Sequence, residues 1–253
     1  MPPSFHKTIH GNLLLGALEP EFSRRLDQYL EPVDLKLGAV VCNAGGLLSH
    51  AYFPQGCVLS LLTVMEDGSA IETANIGREG AFGLFAAMYS RVSFNQCIVQ
   101  LEGNMLRCHI DILKSEFNKS ENVRDLFINY SEKLFSQIQQ TAACNALHTT
   151  EQRAIRWLLM MHDRAEGDAL TYTHEFLAQI LGVNRKSVTL AAQSLQAAGL
   201  IRYHRGLMQV LDRAGLEKAT CECYATVRER FRAFILPPST AVGGDTSGRR
   251  NEI

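Results

Sequence analysis

The residues with the clearest chemistry lie in one short stretch, Thr173-His174-Glu175-Phe176-Leu177-Ala178-Gln179-Ile180-Leu181-Gly182-Val183-Asn184-Arg185-Lys186-Ser187-Val188. Thr173 can cap a first helix whose buried stripe is Phe176, Leu177 and Ile180. Gly182 supplies the left-handed residue that a sharp corner between helices requires. Asn184 caps a second helix, with Val188, Ala192 and Leu195 inward. Arg185, Lys186, Ser187, Thr189 and Gln193 are left near its N-terminus or on its outer side. That layout reads base edges in a DNA groove, and a planar arginine fork matches guanine. Two short strands follow, 200–204 and 207–211, joined by Arg205-Gly206. This hairpin, a wing, carries Arg202, His204 and Arg205. From 173 to 213 there are five Lys/Arg against two acids, a local surplus of three positive charges. Phosphate contact needs only such a local surplus.

Bond-making chemistry finds less support. The seven cysteines, at 42, 57, 97, 108, 144, 221 and 223, are odd in number and irregular in spacing. They form no C-x-x-C pair and read as reduced, buried thiols. No metal site or catalytic set is expected, and so no enzyme. The rival is a cupin-like barrel with a metal centre, fused to a binding domain. It needs several converging histidines, and residues 33–110 offer only His50 and His109.

These residues need a scaffold, and the sequence changes character near residue 121. From 33 to 107, short β-branched runs such as Val58–Val64, 70–74 and 97–101 alternate with glycine turns. Glu66-Asp67-Gly68-Ser69 is a hairpin signal. The expectation is an α+β chain whose N-terminal part, 1–120, is an antiparallel β barrel of jelly-roll type. Residues 121–147 form one long helix, roughly 35–39 Å in length. Val123, Phe127, Tyr130, Leu134 and Ile138 make its main apolar stripe, taken as the seam of a homodimer. Leu126 and Phe135 lie off that stripe and give a second apolar face. Residues 148–236 hold the winged helix-turn-helix, closed by one helix over 214–235. Residues 237–253, rich in Pro, Gly and Ser, are expected to be a disordered tail.

Composition narrows the class. The chain has 253 residues, 46% hydrophobic and 20% charged, which suits one large or two modest globular domains. The longest apolar run, 81–89, is far short of the roughly 20 residues of a membrane span. The first fifteen residues show no secretory leader, so a cytoplasmic location without membrane contact is expected. The net charge of −1 confines any nucleic-acid site to a local patch.

In residues 173–206, and in its order of parts, the chain resembles the Crp/Fnr superfamily of bacterial transcription regulators. The resemblance spans about 10–236. It implies a cyclic-nucleotide-binding-like barrel, a dimerisation helix and a winged helix-turn-helix. It also implies a homodimer on near-palindromic double-stranded DNA, in contact with RNA polymerase. Family members often begin the recognition helix with Ser-Arg-Glu. Here Asn184-Arg185-Lys186 stands there, so Arg185 carries over and the acidic reader does not. Ile76-Gly77-Arg78-Glu79-Gly80 resembles the turn that opens the family's phosphate-binding cassette. Where nucleotide-binding members place an Arg-Ser or Arg-Thr pair, this chain has Phe94-Asn95. Arg91 stands three residues early. The effector pocket is therefore expected to be degenerate, with no cofactor. The alternative is a cyclic-nucleotide response through a non-standard phosphate site at Arg78 or Arg91. The iron–sulfur members carry an N-terminal cysteine cluster, and no cysteine precedes Cys42.

Overall fold

The structure is a computed structural model that describes residues 11–165 and 167–235. The tail expected at 237–253 lies outside the described residues. Two short helices, α1 (Leu13–Gly16) and α2 (Pro20–Asp27), precede the strands. The strands are β1 (Glu31–Leu35), β2 (Val40–Cys42), β3 (His50–Pro54), β4 (Val58–Val64), β5 (Ala70–Ile76), β6 (Gln96–Leu101) and β7 (Gly103–His109). Helix α3 (Leu84–Met88) sits between β5 and β6. All pairings are antiparallel. One sheet has the order β1-β7-β3 and the other β2-β6-β4-β5. Outside the named strands, isolated bridges join Leu47 to Val92 and Tyr52 to Phe82. The arrangement is the expected antiparallel jelly roll, with two sheets around an apolar core.

The β4–β5 hairpin turns where Glu66-Asp67-Gly68-Ser69 signals it. Gly68 adopts φ +82°, and the Met65 amide donates to the Ser69 carbonyl. The apolar run at 81–89 is not a strand. Gly83, at φ +91°, turns the chain into α3, because its left-handed backbone breaks any extended ladder there.

After the sheets come α4 (Ile110–Lys119) and α5 (Glu121–Leu147). The Ser120 side chain caps α5. The buried residues of α5 are Val123, Phe127, Tyr130, Leu134, Gln137, Thr141 and Cys144, alternating steps of four and three. From Val123 to Gln137 this row packs on the chain's own N-terminal part, and Thr141 and Cys144 meet α6 and the start of α10. The Tyr130 hydroxyl donates to the Ala81 carbonyl at 3.0 Å, and Phe127 stacks on Phe117. Val123, Phe127, Tyr130 and Leu134, expected at a dimer seam, thus face the chain's own fold. All four are buried within one protomer, because the jelly roll needs an apolar cover on that side. Ile138 is half-buried at the edge of the row. The exposed apolar side chains of α5 include Ile128 and Phe135, seven residues apart.

The C-terminal part contains α6 (Thr150–His162), β8 (Ala169–Thr171), α7 (His174–Leu181), α8 (Arg185–Ala197), β9 (Ile201–His204), β10 (Leu207–Val210), α9 (Arg213–Ala219) and α10 (Cys223–Ile235). Thr149 and Gln152 form a reciprocal capping box on α6. The single helix expected at 214–235 is two. Thr220 takes an extended backbone, φ −74° and ψ 166°, and ends α9.

Phe127→Ala should cost about 3–5 kcal/mol of stability by leaving a core cavity. In urea titrations at two protein concentrations, that loss should be the same at both. A loss that grows on dilution would mean that Phe127 works across an interface.

Candidate nucleic-acid interface

Helix α7 begins with the Thr173 hydroxyl accepting from the Phe176 amide at 3.1 Å. It ends at Gly182, φ +61°, where a side chain would also come within 2.6 Å of Ile71 on β5. The corner is thus glycine for two reasons, its left-handed backbone and the barrel hairpin pressed against it. Asn184 caps α8, accepting from the Ser187 amide at 2.9 Å and from the Ser187 hydroxyl at 3.0 Å. Such a cap stabilises a helix by roughly 1 kcal/mol.

At 100° per residue, Val188, Ala191, Ala192 and Leu195 share one side of α8, and all four are buried. Arg185, Lys186, Thr189, Leu190 and Gln193 fill an arc of about 140° on the other side. Arg185, Lys186 and Gln193 are exposed, and Thr189 is half-buried. Among the described residues Arg185 makes only a loose ion pair, with Glu175, 3.9 Å between exposed groups. Its guanidinium is held by little that a new partner would have to displace. Thr173, Asn184 and Ser187 spend their side-chain oxygens on caps, so their part is to shape the helix ends.

Leu190 was not singled out from the sequence. It is 55% exposed at one end of this arc, beside Lys186, where folding gives no reason for a leucine. An apolar residue there suits the methyl group of thymine. The available signal was its position four residues after Lys186 and three before Gln193.

The wing is held against α8 by direct bonds. The Tyr203 amide donates to Gln196 Oε1 at 2.8 Å. His174 stacks on Tyr203 with ring centroids 4.2 Å apart, and its Nδ1 lies 3.0 Å from the Thr189 hydroxyl. Burial, with Arg185 adding to it, pushes the His174 pKa down, so the ring is neutral near pH 7. β10 pairs with β9 and with β8, a third strand that the sequence reading did not anticipate. At the wing tip, Arg205 has φ +48° and Gly206 φ +83°. Both central residues of this two-residue turn are left-handed, where Asn or Gly is the easy choice. An arginine held there at some backbone cost points to use of its side chain. Arg202, His204 and Arg205 are all exposed on this hairpin.

The residues proposed for an effector pocket do not form one group. A cavity of about 270 Å³ lies between the sheets and α5, with Leu61, Phe82, Phe94, Asn95, Tyr130 and Ile138 in its wall. Phe94 and Asn95 thus line a mostly apolar space, and among the described residues no lysine or arginine lines it with them. Arg91 is turned away and pairs with Asp111. Gly77, Arg78 and Glu79 also lie elsewhere. A side chain at Gly80 would come within 2.4 Å of the Tyr130 ring, and one at Gly77 within 2.5 Å of Arg164. The turn that resembles a phosphate cassette is filled by the protein itself.

Glu79 is buried and pairs with Arg164, which lies just beyond α6. Burial pushes the Glu79 carboxyl up, but the Arg164 charge and its hydrogen bonds outweigh that and hold it below the usual carboxylate range. His50 and His109 pack edge to face at 5.2 Å. His50 bonds Ser49, and His109 caps α4. Among the described residues no third donor of the metal-binding types converges with these two.

Residues 152–219 match the Crp-like helix-turn-helix domain family. No curated protein sequence matches the chain. Among solved structures, a Crp/Fnr-family transcriptional regulator from Eubacterium rectale is similar over 81% of this chain and 96% of its own, with 19% identity and TM-score 0.66. FixK2 from Bradyrhizobium japonicum is similar over 76% and 98%, with 13% identity and TM-score 0.65. A Crp/Fnr-family regulator from Thermus thermophilus covers 75% and 97%, with 20% identity and TM-score 0.60. The chain has the fold of Crp/Fnr transcription regulators and carries a Crp-like helix-turn-helix.

The Glu79–Arg164 pair yields a stability prediction. Glu79→Gln should cost about 3–5 kcal/mol at pH 7, because it strands a buried guanidinium. The folded-state pKa of Glu79 is depressed. Its stabilisation is therefore complete above the ordinary glutamate value and disappears as pH falls through the folded pKa. Urea midpoints of wild type and variant, measured from pH 7 down to pH 3, should converge at the acidic end.

Proposed function

We propose that this chain is a homodimeric, sequence-specific DNA-binding transcription regulator and not an enzyme, with α8 as the base-reading element. The observation that carries the reading is α8 itself, a capped helix with a buried apolar side. Its outer arc presents Arg185, Lys186, Thr189, Leu190 and Gln193 beside a basic wing. Arg185 and Lys186 lie in the first turn, the end that enters a major groove. Arg202, His204 and Arg205 meet phosphates. Thr173, Asn184 and Ser187 hold the frame.

Dimerisation is assigned to the side of α5 that the sheets leave open, through Ile128, Phe135 and the edge residue Ile138. Phe85, Tyr89 and Phe94, all exposed, line the same cavity as Ile138 and extend this apolar surface. Two-fold pairing of α5 places two recognition helices on one face of the duplex, about 34 Å apart, for a near-palindromic site. RNA polymerase is the further partner that such a regulator engages, and the cytoplasm is where it works. No helix among the described residues is long and apolar enough to cross a membrane.

The effector site is degenerate with respect to cyclic nucleotides. A cyclic phosphodiester needs a cation or several aligned N–H donors. The cavity walls supply apolar surface, and the nearby cations Arg91 and Arg164 are paired with carboxylates. Its chemistry suits a small, uncharged, apolar effector.

Selection of bound DNA sequences, followed by binding titrations, tests the reading. Arg185→Ala should weaken the selected site by roughly 1–3 kcal/mol and relax one base pair per half-site. Arg205→Gly keeps the turn and removes the charge. It should weaken all sequences alike and reduce the salt slope by about one unit. Equal loss on selected and random DNA for Arg185→Ala would remove α8 as the base reader. Phe135→Ala should shift light scattering from dimer toward monomer. Calorimetry with cyclic AMP or cyclic GMP should show no sub-micromolar binding.

A further inference from the structure

Apart from the main core, three buried cysteines form their own cluster, Cys144, Cys221 and Cys223. Cys144 lies on the last turns of α5, and His148 stands one helical turn further on as the cap of that helix. Cys221 sits in the break between α9 and α10, and Cys223 opens α10. One donor atom from each of the four residues lies within 4.8 Å of every other. Cys144 Sγ is 3.6 Å from Cys221 Sγ, and Cys223 Sγ is 3.6 Å from His148 Nδ1. We infer that Cys144, His148, Cys221 and Cys223 form a tetrahedral site for a single zinc ion.

Three independent features support this assignment. The first is spacing. Bonds of about 2.3 Å to sulfur and 2.0–2.1 Å to nitrogen place tetrahedral donors roughly 3.4–3.8 Å apart. The two contacts above have that length. A multi-iron cluster would spread its ligands over several metal atoms, and these four donors are gathered round one point.

The second feature is the orientation of the histidine. His148 Nε2 lies 3.3 Å from the Glu222 carboxylate. That contact places the ring proton on Nε2 and leaves the Nδ1 lone pair directed at the sulfurs. A carboxylate behind a ligand histidine is the usual support for a metal. Gln140 also donates a hydrogen bond to Cys223 Sγ at 3.1 Å.

The third feature is charge. Arg153 and Arg156 on α6 are buried, 7% and 5% exposed, and the Nε of each has no partner. Among the described residues neither forms an ion pair with a carboxylate, and Arg156 donates to the Thr141 hydroxyl at 3.3 Å, three residues before Cys144 on α5. Three thiolates and a neutral imidazole around a doubly charged ion leave a net charge of −1. That charge would lie beside these two guanidiniums, of which Arg156 also faces the buried Glu72.

The position gives the site a task. Cys144 and Cys221 are 77 residues apart, and the segment between His148 and Cys221 contains α6 through α9. The ion ties the two ends of the helix-turn-helix segment to the end of α5. It would fix how the reading helix is carried on the dimer helix.

The test uses the full-length protein, purified anaerobically with a thiol reductant. Elemental analysis should find one zinc per chain. Cobalt substituted for zinc should give the intense visible bands of a tetrahedral centre and a sulfur-to-cobalt charge-transfer band. Cys221→Ser with Cys223→Ser should abolish both, and the control Cys42→Ser should leave both unchanged. His148→Cys should retain a tetrahedral spectrum. Glu222→Gln should keep the spectrum and weaken zinc binding about tenfold.

The inference is overturned if wild-type protein holds no stoichiometric metal while all seven thiols titrate as free. A weak, octahedral cobalt spectrum overturns it too. A Cys144–Cys221 disulfide in anaerobically prepared protein would assign the cluster to redox pairing instead. Metal content is read without DNA. A metal-loaded protein that bound no DNA would therefore count against the proposed function and leave the metal site standing.

Discussion

The buried row of α5 is the constraint on which the other parts depend. Tyr130 fills the space above Gly80 so closely that any side chain there would overlap its ring. Its hydroxyl is spent on the Ala81 carbonyl. The helix must serve the sheets first, and only its opposite side is left open. That order of priority explains why an apolar stripe that looks made for pairing is consumed inside one chain. It also fixes the far end of α5, where Cys144 and His148 meet the start of α10.

A second set of contacts seats the helix-turn-helix segment on the sheets. Arg164 reaches the Glu79 turn, the Tyr172 hydroxyl donates to the Gln100 carbonyl at 3.0 Å, and Ile71 abuts Gly182. Nearby, the buried Glu72 carboxylate accepts from Ser60 and Gln100, each at 2.6 Å, and from Asn75 at 3.3 Å. Burial still pushes the Glu72 pKa up. The junction is therefore polar as well as apolar. Polar junctions depend on bond direction and hold a defined orientation, where an apolar contact alone would allow sliding.

The sequence showed the helix-turn-helix almost completely because its signals are local. Thr173, Gly182 and Asn184 each act within a few residues of their own position, and the apolar spacing of α8 needs no distant partner. The direction faced by α5 was not legible. Both of its sides carry apolar residues, and only the position of the sheets decides between them. The cysteine group was hidden for a related reason. Its two halves lie 77 residues apart, and the helix-forming residues over 214–235 mask the break at Thr220 that frees Cys221. The i,i+4 pair Cys144 and His148, together with Cys-x-Cys at 221–223, was the trace available. Phe94-Asn95 was legible as a missing phosphate partner. The filling of the Gly77–Gly80 turn by Tyr130 and Arg164 was not, because those residues arrive from other parts of the chain.

The break between α9 and α10 brings the chain back to the point it left at the end of α5. Topologically, the segment from 149 to 220 is then an insertion whose two ends meet at one place. Segments with adjoining ends can be exchanged between scaffolds without rethreading the host. Here such an exchange must also carry the residues that meet the sheets, because Arg164, Tyr172 and Gly182 contact Glu79, Gln100 and Ile71. A chimera joined at 149 and 220 therefore keeps its orientation only if those three contacts are carried over with it.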